Sequence, residues 1–320
     1  MIDFFSIVAK RISDVDKLQI IKKNNLQCIF NISTNSKNYD NAQNKNLTGG
    51  IYLKICENDL KIEGSVHKYF HYLKYKTLEN YTVFTMLDFI ETIEIIFKNF
   101  SIPKLEFFVM HYEIGLNVFV EQNPIKYLNE AQSIGKLDGT QRKLYINPKY
   151  KQERFLTTQM HRDNTLVYRM YDKDFERRDR GKNTVISNCI RIETKRTRLR
   201  NTTLIEFINY SNLILIQNKF IADWNMLNFK PDILAPAGTH QSKKDLAKKI
   251  IISGSEIVLK EIENNRDKLT PKIYRTSREF IKSWESIKYG FKLKNSQTCA
   301  IWSNSYASAI QQVTNFNNKN

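Results

Sequence analysis

The chain has 320 residues and a mass of 37.8 kDa, so it can bury a real core as one large domain or two domains of ordinary size. A hydrophobic fraction of 41% excludes a wholly disordered chain, and 10 glycines and 6 prolines exclude a collagen-like or linker-dominated one. The net charge of +17 favours a polyanionic partner.

The predicted elements begin with two short strands, at residues 1–12 and 26–34, which a polar segment joins. Residues 33–50 are mostly Asn, Ser, Lys and Gly, which predicts a loop. Residues 51–64 predict a hairpin, since two alternating apolar runs flank a short polar turn.

A helix is predicted next, and it is followed by the clearest strand. Thr85 can cap the helix with Asp88 in the capping-box position, apolar residues then recur at helical spacing, and Pro103 marks the exit. Residues 105–120 alternate strictly from Tyr112 onward, which predicts a strand with one buried face.

Two further strands are predicted at residues 164–173 and 185–195, and the turn between them is supplied by residues 177–183. A helix is expected at residues 201–228 and a boundary between Pro231 and Gly238. We therefore predict an α+β fold with a central antiparallel sheet, helices packed on one face, and a basic helical C-terminal region. The expected domains are a catalytic one over 1–235 and a mainly helical, DNA-binding or accessory region over 236–320, where Thr270-Pro271 begins a helix.

The basic charge is concentrated in two stretches. Residues 142–200 hold 17 basic and 7 acidic side chains, residues 240–320 hold 15 and 7, and the remainder has a net charge of −1. A compositional drift toward lysine would not select segments in this way. The pattern therefore predicts binding of nucleic acid through its phosphates.

The cysteines and the apolar runs bear on the compartment. The four cysteines are scattered without a CxxC pair, which indicates neither a disulfide framework nor a zinc site. No apolar run approaches the ~18 residues of a membrane helix, and the first residues lack the pattern of a signal peptide. We expect a soluble, reduced, cytoplasmic protein without a membrane partner.

Three of the predicted strands place polar side chains on one face. These residues are, strand by strand, Glu113 and Asn117, then Arg169, Tyr171 and Lys173, then Arg191, Glu193 and Lys195. Two carboxylates can bind a hard divalent cation, a tyrosine hydroxyl can act as a nucleophile, and cations can offset phosphoryl charge. Any one strand alone is typical of a solvated face. The three together favour phosphodiester cleavage by tyrosine.

The order and spacing of these residues resemble those of rolling-circle replication initiators from small plasmids, integrative elements and filamentous phages. Tyr171-Asp172-Lys173 with Glu176, followed by Arg191-Ile192-Glu193 with Lys195, resembles their Y-x-K…E and R-x-E-x-K strands. The strand from Glu113 to Asn117 looks like the acidic strand that precedes them. Gly64-Ser65-Val66-His67-Lys68-Tyr69 is similar to an upstream GS-x-HKY segment, and Met1-Ile2-Asp3 also fits. The resemblance covers roughly residues 1–215.

By this resemblance, Tyr171 is the nucleophile that forms a 5′-phosphotyrosine bond at an origin and frees a 3′-OH primer. Glu113, Glu193 and Glu176 would hold Mg²⁺ or Mn²⁺, and Lys173 would steady the phosphate or the phenolate. The residues implied in DNA binding are Arg169, Arg177, Arg178, Arg180, Arg191 and Lys195. The implied partners are single-stranded or hairpin origin DNA and a host helicase and polymerase. Many such initiators hold their metal with a His-hydrophobic-His pair, which this sequence lacks.

Alternatives stay open at this point. Tyr168 competes as the nucleophile, but it falls on the apolar face and lacks a lysine two residues on. A mobilisation relaxase would share the tyrosine chemistry, whereas a non-catalytic DNA-binding protein would keep every activity in the variant Tyr171→Phe. P-loop, GxGxxG and HExxH motifs are missing, which disfavours nucleotide and zinc hydrolases.

Overall fold

The computed structural model describes residues 1–31, 35–135, 141–147, 154–158, 165–181, 187–199 and 201–315. The strands and helices of these ranges are, in chain order, β1 (Ile2–Ala9), α1 (Asp14–Lys23), β2 (Gln27–Asn31), β3 (Ser36–Asp40), β4 (Tyr52–Cys56), β5 (Asp59–Ser65), α2 (Val66–Tyr75), α3 (Met86–Asn99), β6 (Phe107–Phe119), α4 (Pro124–Glu130), β7 (Ala131–Ile134), β8 (Arg142–Lys143), β9 (Tyr145–Ile146), β10 (Phe155–Thr157), β11 (Leu166–Asp172), α5 (Lys173–Asp179), β12 (Cys189–Thr197), α6 (Leu204–Ile208), α7 (Tyr210–Asn225), β13 (Leu227–Phe229), β14 (Asp232–Leu234), α8 (Gln241–Ser253), α9 (Ser255–Asn264), α10 (Pro271–Lys282), α11 (Trp284–Ile287), β15 (Lys292–Lys294) and α12 (Gln297–Asn315).

Ten of the described strands form one antiparallel sheet, in the order β2-β3-β4-β5-β1-β6-β12-β11-β10-β9. Helices α3, α6 and α7 pack on one of its faces. Phe207 of α6 lies against Tyr112 of β6 and Phe89 of α3, and the Trp224 indole of α7 donates to the Thr194 hydroxyl of β12. This arrangement confirms the predicted α+β class, with a central antiparallel sheet and helices packed on it.

The three central strands carry the predicted polar face. Strands β6, β12 and β11 pair so that Asn117, Arg191 and Tyr171 are cross-strand neighbours. Because side chains alternate along a strand, Glu113 and Glu193 project from the same side of the sheet as these three. The strands lie within a few residues of the predicted ranges, and residues 164, 185 and 186 fall outside the described part of the chain.

Two predictions for the N-terminal part were wrong. The polar segment between the first two strands contains helix α1, which Ser13 caps; its apolar positions Val15 and Leu18 are exposed, so they give little helical periodicity. The predicted loop at 33–50 contains strand β3 and a short 3-10 helix. There the Asn41 side-chain amide donates to the Ile51 carbonyl and accepts from the Leu53 amide of β4, so polar residues take part in ordered structure.

Two later elements also differ from the prediction. Residues 177–179 belong to helix α5, whose first amides are capped by Asp172, and residues 182–186 lie outside the described ranges. The helix expected at 201–228 is divided into α6 and α7. Asn209 separates them because its extended backbone ends α6 while its side chain caps α7 at Ser211.

The chain divides into two compact units. One comprises residues Met1–Asn228 and Ile301–Asn320, and the other comprises Phe229–Ala300. The predicted boundary at 235/236 lies close to the start of the second unit, while the last residues belong to the first. In the first unit, Trp302 packs against Tyr127, and the Tyr306 hydroxyl donates to the Ile221 carbonyl.

The second unit is mainly helical, as expected for this region. Strands β14 and β15 pair antiparallel, and helices α8 to α11 surround an apolar core. Its buried residues are Ile233, Ala247, Ile250, Val258, Phe280, Ile281, Trp284 and Phe291. Thr270 caps α10 and Pro271 occupies its first turn, which confirms the predicted helix start. In the described ranges of both units, every helix is too short or too polar to cross a membrane.

Candidate functional site

The predicted site residues meet at one end of the sheet. Asn117 and Tyr171 lie close to the ends of β6 and β11, and Asp3 and Arg191 lie close to the starts of β1 and β12. Antiparallel pairing brings these strand ends together although they are far apart in sequence. The structure thus assembles in one place the acidic strand, the Y-x-K strand and the R-x-E-x-K strand.

Tyr171 is a buried hydrogen-bond donor. Its hydroxyl donates to Glu193 Oε1 at 2.8 Å, its ring stacks on Phe155 with centroids 4.5 Å apart, and the residue is only 5% exposed. Burial and then the negative charge of Glu193 raise the pKa of Tyr171 well above its usual value. The phenol is therefore held in its neutral form beside a carboxylate that can accept its proton.

Arg191 is buried at the centre of the site, where only 2% of the residue is exposed and its guanidinium bonds three other side chains. Its Nε donates to Glu193 Oε1 at 3.0 Å, Nη1 to Asn117 Oδ1 at 3.0 Å, and Nη2 to Asp3 Oδ2 at 2.5 Å. A buried guanidinium is tolerated only when its donors are paired in this way. Glu193 is consequently fixed in orientation relative to the Tyr171 hydroxyl.

Asp3 reaches Arg191 because of a bulge in β1. The register with β6 shifts between Ile2 and Phe4, which leaves Asp3 as the extra residue. Its carboxylate also accepts from the Ser65 hydroxyl at 2.5 Å and from the Asn80 amide at 2.7 Å. Burial alone would raise the pKa of Asp3, but the Arg191 guanidinium outweighs burial and holds it well below its usual value. Asp3 is thus the negative partner that the buried arginine requires.

Gly115 is the position over which the Arg191 side chain crosses β6. A Cβ at this residue would lie 2.5 Å from Arg191 Nη2 and 2.9 Å from Cζ, closer than such atoms approach. Arg191, Gly115 and Asn117 also line a small cavity of about 40 Å³, together with Ala309 and Val313 of α12. The strand therefore needs glycine here to admit the guanidinium.

Glu113 and Glu193 form the carboxylate pair of the site. Arg169 Nη1 lies 3.4 Å from Glu113 Oε1 and 3.9 Å from Glu193 Oε2, and Lys195 Nζ lies 3.2 Å from Glu113 Oε1. Burial and then the charge of Glu193 raise the pKa of Glu113. Carboxylate oxygens are the ligand type that a hard divalent cation takes; here the Arg169 guanidinium and the Lys195 ammonium neutralise them.

Glu176 does not join that pair. It lies on α5, where Lys173 Nζ bonds its Oε2 at 3.0 Å and Arg180 Nε bonds its Oε1 at 2.7 Å. Within the described ranges, the histidine, cysteine and acidic side chains form no group of three or more that could hold a metal ion. The Lys173 ammonium lies 5.8 Å from the Tyr171 ring centroid and is bonded to Glu176. It is therefore placed to neutralise Glu176 rather than to stabilise a Tyr171 phenolate.

The six residues implied in DNA binding divide by exposure. Arg177 is buried and pairs with Glu79, and Arg191 is buried in the network above. The side chains of Arg178 and Arg180 are exposed and pair with Asp174 and Glu176 on their own helix. Arg169 and Lys195 are half-buried beside Glu113. Of the two buried arginines, Arg191 belongs to the Tyr171 network, whereas the other four cations are at least partly exposed.

Some residues of the Arg191 network, or close to it, were only weakly indicated by the sequence. Asp3 and Ser65 belong to segments that carry the resemblance, and the structure gives both a direct contact in the site. His67 lies nearby, stacked on Phe84 with its Nε2 3.1 Å from the Thr82 hydroxyl. Asn80 comes from the irregular segment after α2, which has no pattern that could have marked it.

The contacts of Tyr171 and Glu193 form an arrangement that can do nucleophilic chemistry. A hydroxyl and a carboxylate lie within hydrogen-bond reach, and a third group orients the carboxylate, as activated nucleophiles require. Tyr168, the competing tyrosine, points to the opposite face, where its hydroxyl donates to Asp223 Oδ2 at 2.8 Å and its ring packs edge-on against Trp224. Tyr168 therefore lies apart from the acidic pair.

Comparison with known proteins adds no family assignment: no protein-family model matches the chain, and no curated protein matches it in sequence.

Proposed function

We propose that this protein initiates rolling-circle DNA replication by nicking one strand at an origin with Tyr171. The observation that carries the proposal is the 2.8 Å hydrogen bond from the Tyr171 hydroxyl to Glu193, whose carboxylate is held by the buried Arg191. The basic surplus of residues 142–200 supports a polyanionic substrate. The reaction belongs in the cytoplasm, where such an origin is accessible.

In the proposed step, the Tyr171 oxygen attacks the scissile phosphorus while its proton passes to Glu193 Oε1. A bond forms between tyrosine and the 5′ phosphate, the bond to the 3′ oxygen breaks, and that oxygen takes a proton from water to become the 3′-OH primer. A base is needed because the raised pKa of Tyr171 keeps the free phenolate scarce. Glu193, which already accepts the hydrogen bond of the Tyr171 hydroxyl, is that base.

Glu113 and Glu193 are the residues that would hold Mg²⁺ or Mn²⁺, which when bound would polarise a phosphoryl oxygen. Arg169 and Lys195 already lie beside Glu113 and can offset charge on the phosphate. Because Glu193 also contacts Tyr171, Glu113→Gln is the variant that tests the metal role separately from the base role.

The experiment uses a labelled single-stranded origin oligonucleotide with Mg²⁺ or Mn²⁺ and a denaturing gel. Wild type should give a covalent adduct, and Tyr171→Phe should abolish it while changing DNA affinity little, because only one hydroxyl is removed. Tyr168→Phe is the matched control, since it also removes a buried, hydrogen-bonded hydroxyl. An adduct that persists in Tyr171→Phe and disappears in Tyr168→Phe would refute the assignment.

A non-catalytic DNA-binding protein is the second candidate function, and the burial of Tyr171 favours it. The residue is 5% exposed, so attack on DNA requires the side chains that cover it to move. In a purely binding protein the Tyr171-Glu193-Arg191 network would serve stability alone. That function predicts no adduct with any oligonucleotide or metal, together with unchanged DNA binding by Tyr171→Phe.

A further inference from the structure

Helix α10 of the second unit has two different sides. One side packs into the core of that unit, and the other is polar and exposed. Phe280 and Ile281 are buried, whereas Lys272, Arg275, Thr276 and Lys282 are exposed. At helical spacing Arg275 and Lys282 lie on the side opposite the buried pair, with Lys272 beside them, whereas Thr276 lies one turn before Phe280 on the same side as that residue. The helix is therefore anchored by one face and open to a partner on the other.

The charge of this unit is unevenly distributed among its helices. Residues 229–300 hold 15 Lys and Arg against 8 Asp and Glu. Helix α10 carries four cations and one acid, Glu279, whereas α9 carries one cation and three acids. The basic surplus is thus not a general property of the surface, and α10 is one of the places where it collects.

In the part of the chain that the structure describes, three of the four cations of α10 are exposed without an ion partner, whereas α8 has one such cation. On α8, Lys243 is exposed, Lys244 and Lys248 are half-buried, and Lys249 pairs with Glu261 at 2.9 Å. By contrast, Lys272, Arg275 and Lys282 form no ion pair among the described residues, and Arg278 only approaches Glu263 at 3.9 Å. Charges without an internal partner are the ones available to phosphates.

The helices of the second unit are packed so that one side of α10 stays accessible, as it must be in a helix that contacts DNA. Helices α8, α9 and α10 share one core, and the short segment Asn265–Thr270 joins α9 to α10. A helix pair joined by a short turn, with a third helix behind, is how helix-turn-helix proteins offer their second helix to the major groove.

We propose that the outer face of α10 binds duplex DNA, with Lys272, Arg275 and Lys282 on phosphates. The inference rests on the proposed function only in taking DNA as the partner. Nicking by Tyr171 does not require duplex binding by α10, so an experiment can contradict one of these proposals and leave the other intact.

The experiment measures binding of the full chain to a labelled DNA duplex by fluorescence anisotropy over a range of salt concentrations. The test variant replaces Lys272, Arg275 and Lys282 with alanine. Its matched control replaces Lys243, Lys260 and Lys292, which are exposed cations on α8, α9 and β15, and so removes the same charge from the same unit. Circular dichroism checks that both variants are folded.

The test variant should lower duplex affinity by roughly 100-fold at about 0.1 M salt and reduce the log–log salt slope by about 2–3, because three phosphate contacts are lost. The control should change affinity several-fold at most. Equal loss in both variants, unchanged binding in the test variant, or binding of single strands alone would each overturn the inference. Adduct formation on a single-stranded oligonucleotide should persist in the test variant. If the test variant keeps both the adduct and full duplex binding, the inference about α10 fails and the proposed function stands. If the wild-type protein binds no DNA at all, the inference and the proposed function both fail.

Discussion

At the scale of single residues, Arg191 links β12 to β6 and β1 through one guanidinium. Each of its three nitrogens donates to one partner, Glu193, Asn117 or Asp3, and two of these partners are buried carboxylates. Removing one member of such a network leaves the others desolvated without a partner. The site and the fold therefore depend on the same residue.

Arg191→Met should lower the free energy of unfolding by about 3–5 kcal/mol, because Asp3 and Glu193 would remain buried without their cation. Urea unfolding followed by circular dichroism measures the change. Arg178→Met is the matched control: its side chain is 58% exposed and pairs with Asp174 on the same helix, so it should cost about 1 kcal/mol or less. Similar losses in the two variants would contradict the structural role of Arg191.

His67 predicts a pH dependence of stability. Burial lowers the pKa of its imidazole well below the usual 6.5, although the charge of Asp3 opposes this. Below pH 6.5 the unfolded chain binds a proton that the folded chain does not, so stability is complete above that pH and falls as the pH falls. One such group changes the slope by at most about 1.4 kcal/mol per pH unit.

His67→Gln should accordingly lose less stability than wild type between pH 7 and pH 5, as measured by urea midpoints across that range. His240→Gln serves as the comparison, because His240 is an exposed residue at the start of α8. If His67→Gln and wild type show the same slope, His67 is not the group responsible.

At the scale of elements, helix α3 begins with the capping box that its sequence predicts. The Thr85 hydroxyl accepts from the Asp88 amide at 3.1 Å, and the Asp88 carboxylate accepts from the Thr85 amide at 2.8 Å. These contacts confirm the predicted capping box, whose residues are only three positions apart.

Thr85→Ala should destabilise the protein by about 1 kcal/mol, because the first turn of α3 loses its side-chain acceptor. Thr85→Ser retains the hydroxyl and should stay within about 0.5 kcal/mol of wild type. Thermal unfolding of the three proteins provides the measurement. A serine variant as unstable as the alanine variant would show that packing of the methyl group, rather than capping, is responsible.

Strands were predicted well where alternation was strict and poorly where it was absent. The segment around Ile114, Leu116 and Val118 alternates because one face of β6 packs against helices. Strand β3 is polar even on its buried face, where Asn38 and Asp40 lie near the edge of the sheet, and Lys37 is on the other face. Composition alone makes such a strand look like a loop.

At the scale of the whole molecule, the last helix belongs from Ile301 onward to the same unit as the sheet. Trp302 is buried against Tyr127 and stacks on Tyr306 with centroids 5.9 Å apart. A chain ending near Gly238 would therefore lose part of the core of the first unit along with the second unit. Loss of nicking in such a truncated chain would report on stability as much as on the role of the C-terminal region.

Trp302→Ala in the full chain should lower the free energy of unfolding by about 3–5 kcal/mol, because it removes a large buried side chain. Tyr289→Ala removes an aromatic ring that is 80% exposed and should cost under about 0.5 kcal/mol. Urea unfolding separates the two. Equal stabilities would mean that α12 does not complete the first unit.

The sequence by itself determined the elements whose signals are local: the capping box at Thr85, the start of α10 at Thr270, and the alternation that places Glu113, Tyr171 and Glu193 on one face. Those signals depend on neighbours two to four residues apart. Only the tertiary structure decided that Tyr171 is buried on Glu193, that Lys173 is bonded to Glu176, and that Arg191 meets Asp3 across 188 positions of sequence. Burial and pairing of that kind depend on which strands become neighbours and on what covers their face, and no local pattern of residues records either.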